Sequence, residues 1–263
     1  MKIEGQRGVP QFYCNEYEVK KNKYCLCIPI INEGIKIEKE LKRANLARVH
    51  EICDIVICDG GSSDGSTKSH IMKQYHVNTL LVKDDKGKQG AQLRMGFWWA
   101  LQRGYKGIIT IDGNNKDSIE DVKNFIEKLE QGYDFIQGSR FISGGKAINT
   151  PKSRHIAVKV LHAPIISITA GKKFTDTTNA FRAYSYKYLT HSDVKIFREI
   201  FVSYELLAYL SVRASQLKLK TCEIPVIRKY PKRGKIPTKI SPIKGNLNLL
   251  KVLLCNLFRY YNP

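Results

Sequence analysis

An acid that ends an apolar run is the first feature of this sequence with a chemical meaning. Within Gly107–Asp117, the apolar run Ile108–Ile111 is followed at once by Asp112 and then by a polar Gly-Asn-Asn turn. This order predicts a buried parallel strand whose carboxyl end delivers a carboxylate into a crevice. Open α/β sheets bind ligands at that edge, and a carboxylate there can hold a divalent cation that holds phosphate oxygens. The plainer alternative is an acid that caps a helix beginning near Ser118.

Two earlier predicted strands also end in polar loops. Tyr24–Ile31 is followed by a turn at Asn32, and Ile52–Cys58 is followed by Asp59 and a loop rich in glycine and serine. A glycine-rich basic loop, Asp85–Gln92, then leads into a helix. Because the carboxyl ends of parallel strands share one edge of the sheet, these groups can converge there. The chain has neither the glycine pattern of a dinucleotide site after its first strand nor a phosphate-loop pattern, so hydride transfer of the usual kind is not predicted.

The elements that would position these groups alternate between strand and helix through the first half of the chain. This alternation predicts an α/β fold with a Rossmann-like, mostly parallel sheet and helices on both faces. After Gly138 the regularity ends, and Leu247–Tyr261 closes the chain as an apolar helix. We predict a loosely held arm over 1–22, one domain over 23–241, and a helical C-terminal extension over 242–263. That extension would pack on the domain, on a partner or on a membrane surface.

The formal net charge of +20 is unusual for a soluble domain of 263 residues and favours an anionic partner. Met1–Lys23 has no apolar core, and no apolar run approaches the roughly 20 residues of a spanning helix. The seven cysteines lie mostly inside apolar runs, which suits buried thiols in a reducing compartment. These features predict a cytoplasmic protein.

Basic residues crowd the segment Arg228–Lys244, and no acid follows Glu223. This segment can be a solvated face, a nucleic-acid contact with stacking tyrosines, or a phosphate clamp. No nucleic-acid motif accompanies it, so no nucleic-acid partner is expected. With the apolar helix behind it, the segment can also support peripheral contact with the inner face of a membrane.

The motifs named so far occur in an order that has a known parallel. The order runs through Pro29-x-x-Asn32-Glu33, Asp59–Ser66, Gly87–Gln92, Asp112, Gly138–Phe141, Asp176–Arg182, the Glu205 helix and Arg233–Lys239. It resembles the family 2 glycosyltransferases with a GT-A fold, and most of all the branch of polyprenyl-phosphate (dolichyl-phosphate) mannose and glucose synthases. The resemblance covers roughly Tyr24 to Ser241.

The resemblance implies a nucleotide-sugar site on the positions that match the family's motifs. Asp59 matches the acid that reads the base; the family often has a second acid next, and Gly60 stands there. The base therefore stays open. The full implied set is Pro29, Asn32, Glu33, Asp59, Gly61, Gln89, Asp112, Arg233, Thr238 and Lys239.

The resemblance also implies a divalent metal, Mg²⁺ or Mn²⁺. Asp112 matches the first acid of the Asp-x-Asp metal motif, and Asn114 stands at the second position. Asparagine offers a carbonyl oxygen but no charge, so a metal should bind more weakly or rely on Asp117 or on the phosphates of the nucleotide. If the metal is weak, the cations of the Arg233–Lys239 clamp matter more, because they stabilise the charge of the departing diphosphate.

Three residues are candidates for catalysis by the same resemblance. Arg140 matches an arginine that faces the donor or acceptor phosphate. Glu205 matches a helix acid that can serve as a base for a hydroxyl acceptor, and Asp176 is the competing candidate. A phosphate acceptor needs no base. Structural alternatives stay open, since Glu205 can be a helix N-terminal charge and Asp176 a turn residue.

The sequence therefore predicts an inverting, family 2 type glycosyltransferase. Its donor would be a nucleotide-diphosphate sugar, and its acceptor a polyprenyl phosphate, another lipid-linked group or a polysaccharide. The alternatives are a relative that binds nucleotide sugars without catalysis, which Asn114 would mark, and a basic protein that binds nucleic acid.

Overall fold

The computed structural model describes residues 1–3, 7–232 and 244–263. The strands of this part are β1 (Lys2–Ile3), β2 (Phe12–Glu16), β3 (Tyr24–Ile30), β4 (Asp54–Asp59), β5 (Val77–Lys83), β6 (Gly107–Thr110), β7 (Phe135–Ser139), β8 (Lys146–Ile148), β9 (Arg182–Ser185), β10 (Thr221–Pro225) and β11 (Ile227–Lys229). The helices are α1 (Ile35–Leu46), α2 (Val49–Ile52), α3 (Ser69–Gln74), α4 (Gln89–Gln102), α5 (Val122–Glu130), α6 (Lys152–Ala157), α7 (Ala163–Ala170), α8 (Tyr186–Leu189), α9 (Glu205–Gln216) and α10 (Lys244–Leu257).

A nine-stranded sheet in the order β1-β2-β5-β4-β3-β6-β9-β7-β10 forms the centre of the described fold. Its middle strands β5, β4, β3 and β6 are parallel, as the alternating pattern predicts. In their register Ile30 lies opposite Asp59, and Cys27 lies opposite Thr110. The loops that follow β3, β4 and β6 therefore leave the sheet at one edge, which confirms the predicted convergence.

The sheet has one hydrophobic core on each face, because successive side chains of a strand point to opposite sides. Cys25 and Cys27 of β3 belong to the core that packs against α4, α7, α9 and α10. Leu26 and Ile28 belong to the other core, which includes residues of α1, α3 and α5. Burial on both faces explains the nearly continuous apolar runs of the central strands.

The N-terminal segment differs from the expected loose arm. Phe12–Glu16 pairs antiparallel with β5, and Phe12 is fully buried. The expectation of a loosely held arm is therefore wrong for this strand, which extends the main sheet. Exposed residues alternate with the buried residues of this strand. An alternation over only five residues does not stand out in a segment rich in charged residues, so the sequence did not predict the strand.

The second half of the chain adds an antiparallel strand and a helical layer. β9 lies between β6 and β7 and runs antiparallel to both. The apolar pattern of Leu217–Ile227 predicts one strand, whereas the chain forms two, β10 in the main sheet and β11 paired with β8. A π-helical turn joins α6 to α7, and Pro164, which has no N–H group to donate, lies at the start of α7 directly after that turn. In the described ranges no helix has both the length and the apolar character needed to cross a membrane.

Candidate active site

The loops after β3 and β4 hold one another through a short hydrogen-bond network. The backbone N–H of Asn32 donates to Ser62 Oγ (2.9 Å), and the N–H of Ser63 donates to Asn32 Oδ1 (2.9 Å). Asn32 adopts a left-handed backbone conformation (φ 48°), which asparagine tolerates better than most residues. Pro29 lies opposite Cys58 in the register of β3 and β4, below this network. The predicted nucleotide loops are thus one connected unit.

Asp59 ends β4 and closes the loop that follows it. Its carboxylate accepts hydrogen bonds from the Ser62 backbone N–H at 3.1 and 3.0 Å, and it is 1% exposed. Burial raises the pKa of Asp59, and the hydrogen bonds from Ser62 work against that rise. The Asp59 carboxylate therefore fixes the shape of the glycine-rich loop that contains Gly61.

Gly60 stands where the family often has a second acid, and the structure gives a reason. A Cβ atom at Gly60 would lie 3.0 Å from Gln92 Nε2. That amide donates to the backbone carbonyl groups of Ile30 and Cys58, the latter at 2.8 Å. Gln92 thus links the ends of β3 and β4 and fills the room that a side chain at Gly60 would need.

Glu33 is close to the same loops but is largely buried, with 9% of its surface exposed. It forms an ion pair with Lys36 on the first turn of α1. The neighbouring Gly34 N–H donates to Asp64 Oδ2 (2.8 Å), which ties the turn after β3 to the far side of the β4 loop. Glu33 therefore lies at the predicted place, within a local charge pair.

Asp112 follows β6 and receives hydrogen bonds from three side chains. Gln89 Nε2 donates to its Oδ1 (3.1 Å), while Asn114 Nδ2 (3.3 Å) and Arg228 Nη2 (3.0 Å) donate to its Oδ2. Burial opposes ionisation, but the charges of Arg228 and Lys116 lower the pKa of Asp112. The structure thus brings Gln89 and Asp112 together, as the sequence predicts, and surrounds the carboxylate with donors.

Arg228 was not among the predicted site residues. It extends from β11, is 6% exposed, and forms ion pairs with both Asp112 and Asp117. The backbones of Asp117 and Arg228 also meet in an antiparallel bridge. The sequence signal was only its place in the basic segment after Glu223, which does not single it out from its neighbours.

Two further cations contact the aromatic side chain of Tyr230, close to Arg228. Lys116 Nζ lies 4.8 Å from the ring centroid, and Arg154 Nη1 donates to the phenol oxygen (2.9 Å). Burial and the charge of Arg228 lower the pKa of Lys116 to about 8. Burial alone would raise the pKa of Tyr230, but the charges of Arg228, Lys116 and Arg154 lower it. This part of the crevice is therefore electropositive.

Arg140 and Asp176 form a closed pair. Arg140 Nε donates to Asp176 Oδ2 (2.6 Å) and Nη2 donates to Oδ1 (2.8 Å), while Nη2 also reaches Thr178 Oγ1 (2.9 Å). The two side chains are 2% and 0% exposed. Such a fork is a strong, oriented interaction. Both oxygens of Asp176 are engaged by Arg140, an arrangement that favours a structural role; catalytic roles for the two residues stay predictions.

Glu205 is the first residue of α9, and its Oε2 accepts a hydrogen bond from the Ser203 N–H. The preceding loop packs on the start of α4, where a Cβ atom at Gly90 would lie only 2.5 Å from Phe201 O. Burial and the charge of Asp112 raise the pKa of Tyr204, the residue that precedes Glu205. Glu205 is thus a helix N-terminal acid beside the crevice, and a role as a base stays a prediction. Arg233, Thr238 and Lys239 lie outside the described residues.

The described donor set does not fit a divalent ion at Asp112 and Asn114. Asn114 turns its Nδ2 group toward Asp112, and its Oδ1 atom, the predicted ligand, is buried and has no hydrogen-bond partner among the described residues. Arg228 already holds the Asp112 carboxylate. In the described ranges no group of three or more His, Cys, Asp or Glu side chains is placed to hold a metal ion.

Comparison with known proteins identifies the family. The model of glycosyl transferase family 2 matches residues 25–197, and the chain belongs to that family. An undecaprenyl-phosphate mannosyltransferase of Micrococcus luteus is 28% identical over 178 residues, which are 66% of this chain and 70% of the relative. A polyprenol monophosphomannose synthase of Mycolicibacterium smegmatis is 27% identical over 164 residues, which are 60% of this chain and 61% of the relative.

Solved structures give the fold. Glucosyl-3-phosphoglycerate synthase from Mycobacterium tuberculosis, in complex with Mn²⁺, UDP and glucosyl-3-phosphoglycerate, aligns with a TM-score of 0.60 at 12% identity, covering 89% of this chain and 80% of that one. This confirms the predicted GT-A fold. The prediction of a family 2 type glycosyltransferase is also confirmed, and neither the non-catalytic nor the nucleic-acid alternative finds support here. A second solved complex of the same synthase, with UDP-glucose and phosphoglyceric acid, also contains Mn²⁺.

Proposed function

We propose that this protein transfers a sugar, with inversion, from a nucleotide-diphosphate sugar to a polyprenyl phosphate. The observation that carries the proposal is the crevice at the ends of β3, β4 and β6, where Asp112 lies among cations and amide donors. Membership of the family supports a nucleotide-sugar donor, and the names of the curated relatives support a polyprenyl-phosphate acceptor.

In the proposed reaction the anomeric C–O bond to the diphosphate breaks, and an acceptor oxygen forms a new C–O bond on the opposite face. The nucleoside diphosphate leaves with one more negative charge, so cations near the leaving group stabilise the transition state. Lys116 and Arg228 supply such a field beside Asp112. Gln89 and Asn114 orient the Asp112 carboxylate through their N–H groups.

A phosphate acceptor suits the acids of this site better than a hydroxyl acceptor. Asp176 is locked by Arg140, and Glu205 holds the N–H of Ser203, so both candidate bases already have partners. An acceptor phosphate is anionic and attacks without losing a proton to the protein. The electropositive surroundings of Tyr230 are suited to such an anion.

The proposed acceptor is a lipid, and two neighbouring helical segments expose apolar side chains that suit a membrane surface. Val160 and Ile168, around α7, are 71% and 73% exposed, and Phe258, just after α10, is 77% exposed. A shallow apolar hollow of about 440 Å³ lies along the outer side of α10. The exposed apolar area and the net charge of +20 together support peripheral contact with an anionic membrane.

The test is transfer of labelled sugar from a panel of nucleotide sugars to undecaprenyl phosphate, dolichyl phosphate or no lipid. We expect label in the organic phase only with a polyprenyl phosphate, and loss of that label in Asp112→Ala. Asp193→Asn, an exposed acid outside the crevice, is the matched control and should transfer like the parent protein. Transfer that needs no lipid phosphate, or transfer that survives in Asp112→Ala, would contradict the proposal.

A further inference from the structure

The guanidinium group of Arg228 holds Oδ2 of Asp112, one of the two carboxylate oxygens that a metal ion could use. Its Nη2 lies 3.0 Å from Asp112 Oδ2, and its Nη1 contacts Asp117 Oδ2. Nη1 also lies 3.5 Å from Asn179 Oδ1. One cation thus bridges the acid at the end of β6 and a second acid five positions further along the chain.

The exposure of these side chains shows which group faces the crevice. The Asp112 side chain is 23% exposed, whereas those of Arg228 and Asp117 are 7% and 0% exposed. The carboxylate of Asp112 is therefore the part open to a ligand, and Arg228 lies behind it. Arg228 acts through Asp112 and is a positioning residue.

Among Asp112, Asp117, Arg228 and Lys116 the formal charges balance without any added ion. Asp112 and Asp117 bring two negative charges, and Arg228 and Lys116, which both interact with them, bring two positive charges. A divalent ion bound to Asp112 would add two positive charges beside a buried guanidinium. An ion that took Oδ2 would also displace Arg228 from one of its two acids, and an incompletely paired buried charge is costly.

We propose that Arg228 is the resident cation of the donor site, an inference that rests on the donor site proposed above. By neutralising Asp112 it allows a nucleoside diphosphate to bind without a divalent metal. The ligand class is an uncomplexed nucleoside diphosphate, whose charge meets Lys116 and a carboxylate already paired with Arg228. A second acid in place of Asn114 would add a charge that Arg228 could not balance.

The first experiment needs no variant. The full-length protein, stripped of metal, is titrated with UDP, GDP, CDP and TDP by calorimetry, once in EDTA and once in Mn²⁺. For the nucleotide that binds best, we expect dissociation constants that agree within about threefold between the two conditions, well under the tenfold that 1.4 kcal/mol represents. A loss of tenfold or more in EDTA would overturn the proposal.

The variant Arg228→Gln tests the cation itself. We expect it to bind the same nucleotide at least about tenfold more weakly in EDTA, and to recover most of that loss in Mn²⁺. A merely structural role for Arg228 would weaken binding equally with and without Mn²⁺, which would also overturn the proposal. Arg228→Lys, which keeps the charge, should stay indifferent to EDTA, and it replaces the glutamine variant if that variant does not fold.

Arg103→Gln is the matched control, since it also removes one arginine charge but lies in an exposed pair with Glu16. It should bind like the parent protein in both conditions. The failure of this proposal is distinct from the failure of the proposed function. Binding that requires Mn²⁺ would leave the transferase intact and remove only the role of Arg228. Absence of binding for all four nucleotides in both conditions would overturn the donor site and this inference with it.

Discussion

Removal of the Asp176 carboxylate should be among the most damaging single changes in this chain. The pair with Arg140 is fully buried and joined by two hydrogen bonds of 2.6 and 2.8 Å. Asp176→Ala leaves the guanidinium with Thr178 as its remaining side-chain hydrogen-bond partner among the described residues. Breaking a buried pair from one side costs about 3–5 kcal/mol. For a chain of this size, where each kcal/mol moves the melting temperature by about 2–4 °C, the expected fall is roughly 6–20 °C.

The assay is urea unfolding followed by circular dichroism, which gives the free energy of unfolding from the midpoint and the slope. The control is Glu16→Ala, which removes the acid from an exposed arginine pair and should cost less than about 1 kcal/mol. The double variant Arg140→Met with Asp176→Leu replaces both charges by apolar groups of similar size. It should cost less than Asp176→Ala, because no buried charge is left unpaired.

A different outcome would refute the structural interpretation. If Asp176→Ala unfolds within about 1 kcal/mol of the parent protein and yet loses transfer, Asp176 acts in the reaction. In that case its interaction with Arg140 contributes little to the fold. If both stability and transfer survive, neither the structural nor the catalytic interpretation of Asp176 holds.

Three further changes test other parts of the molecule. Burial and the charges of two nearby acids raise the pKa of Glu40 well above its ordinary 4.5. The protonated carboxyl therefore contributes stability that is fully present below pH 4.5 and is lost as the pH rises from 4.5 to the raised value. Glu40→Gln should remove this fall, and equal pH profiles of the two proteins in urea unfolding would contradict it. Gly60→Asp should destabilise the chain by about 1–3 kcal/mol through its contact with Gln92, and an unchanged unfolding midpoint would count against that contact. Phe258→Asp should reduce sedimentation of the protein with anionic vesicles at low salt. Val19 is as exposed as Phe258, and Val19→Asp, the control, should not change sedimentation. Equal sedimentation of the two variants would exclude the α10 surface as the membrane contact.

The sequence predicted the part of the site that depends on strand ends. Asp59 and Asp112 each follow an apolar run, and parallel strands bring such ends to one edge, so their convergence follows from local pattern and topology. The proximity of Gln89 and Asp112 follows for the same reason, because the loop before α4 starts at that edge of the sheet. Here local chemistry and global topology agree.

The sequence could not predict which cation meets Asp112. Arg228 and its partner Asp117 are 111 residues apart, and their contact depends on the bridge between their backbones. The strand expected over Leu217–Ile227 ended before Arg228, so nothing distinguished this arginine from the lysines around it. Composition gives the number of cations, whereas strand register decides which of them is buried.

The charge at position 114 links these two points. In a site with acids at both motif positions, two neighbouring carboxylates call for a cation of charge two. Asn114 removes one of those charges, and the acid Asp117, buried behind the loop, is taken by Arg228 together with Asp112. A guanidinium is well suited to this role, since its fork can bond two carboxylates at once and it keeps its charge when buried. The departure at Asn114 and the presence of Arg228 are therefore two parts of one arrangement, and Asn114→Asp, which adds a charge that Arg228 does not balance, should make nucleotide binding weaker in EDTA than in Mn²⁺.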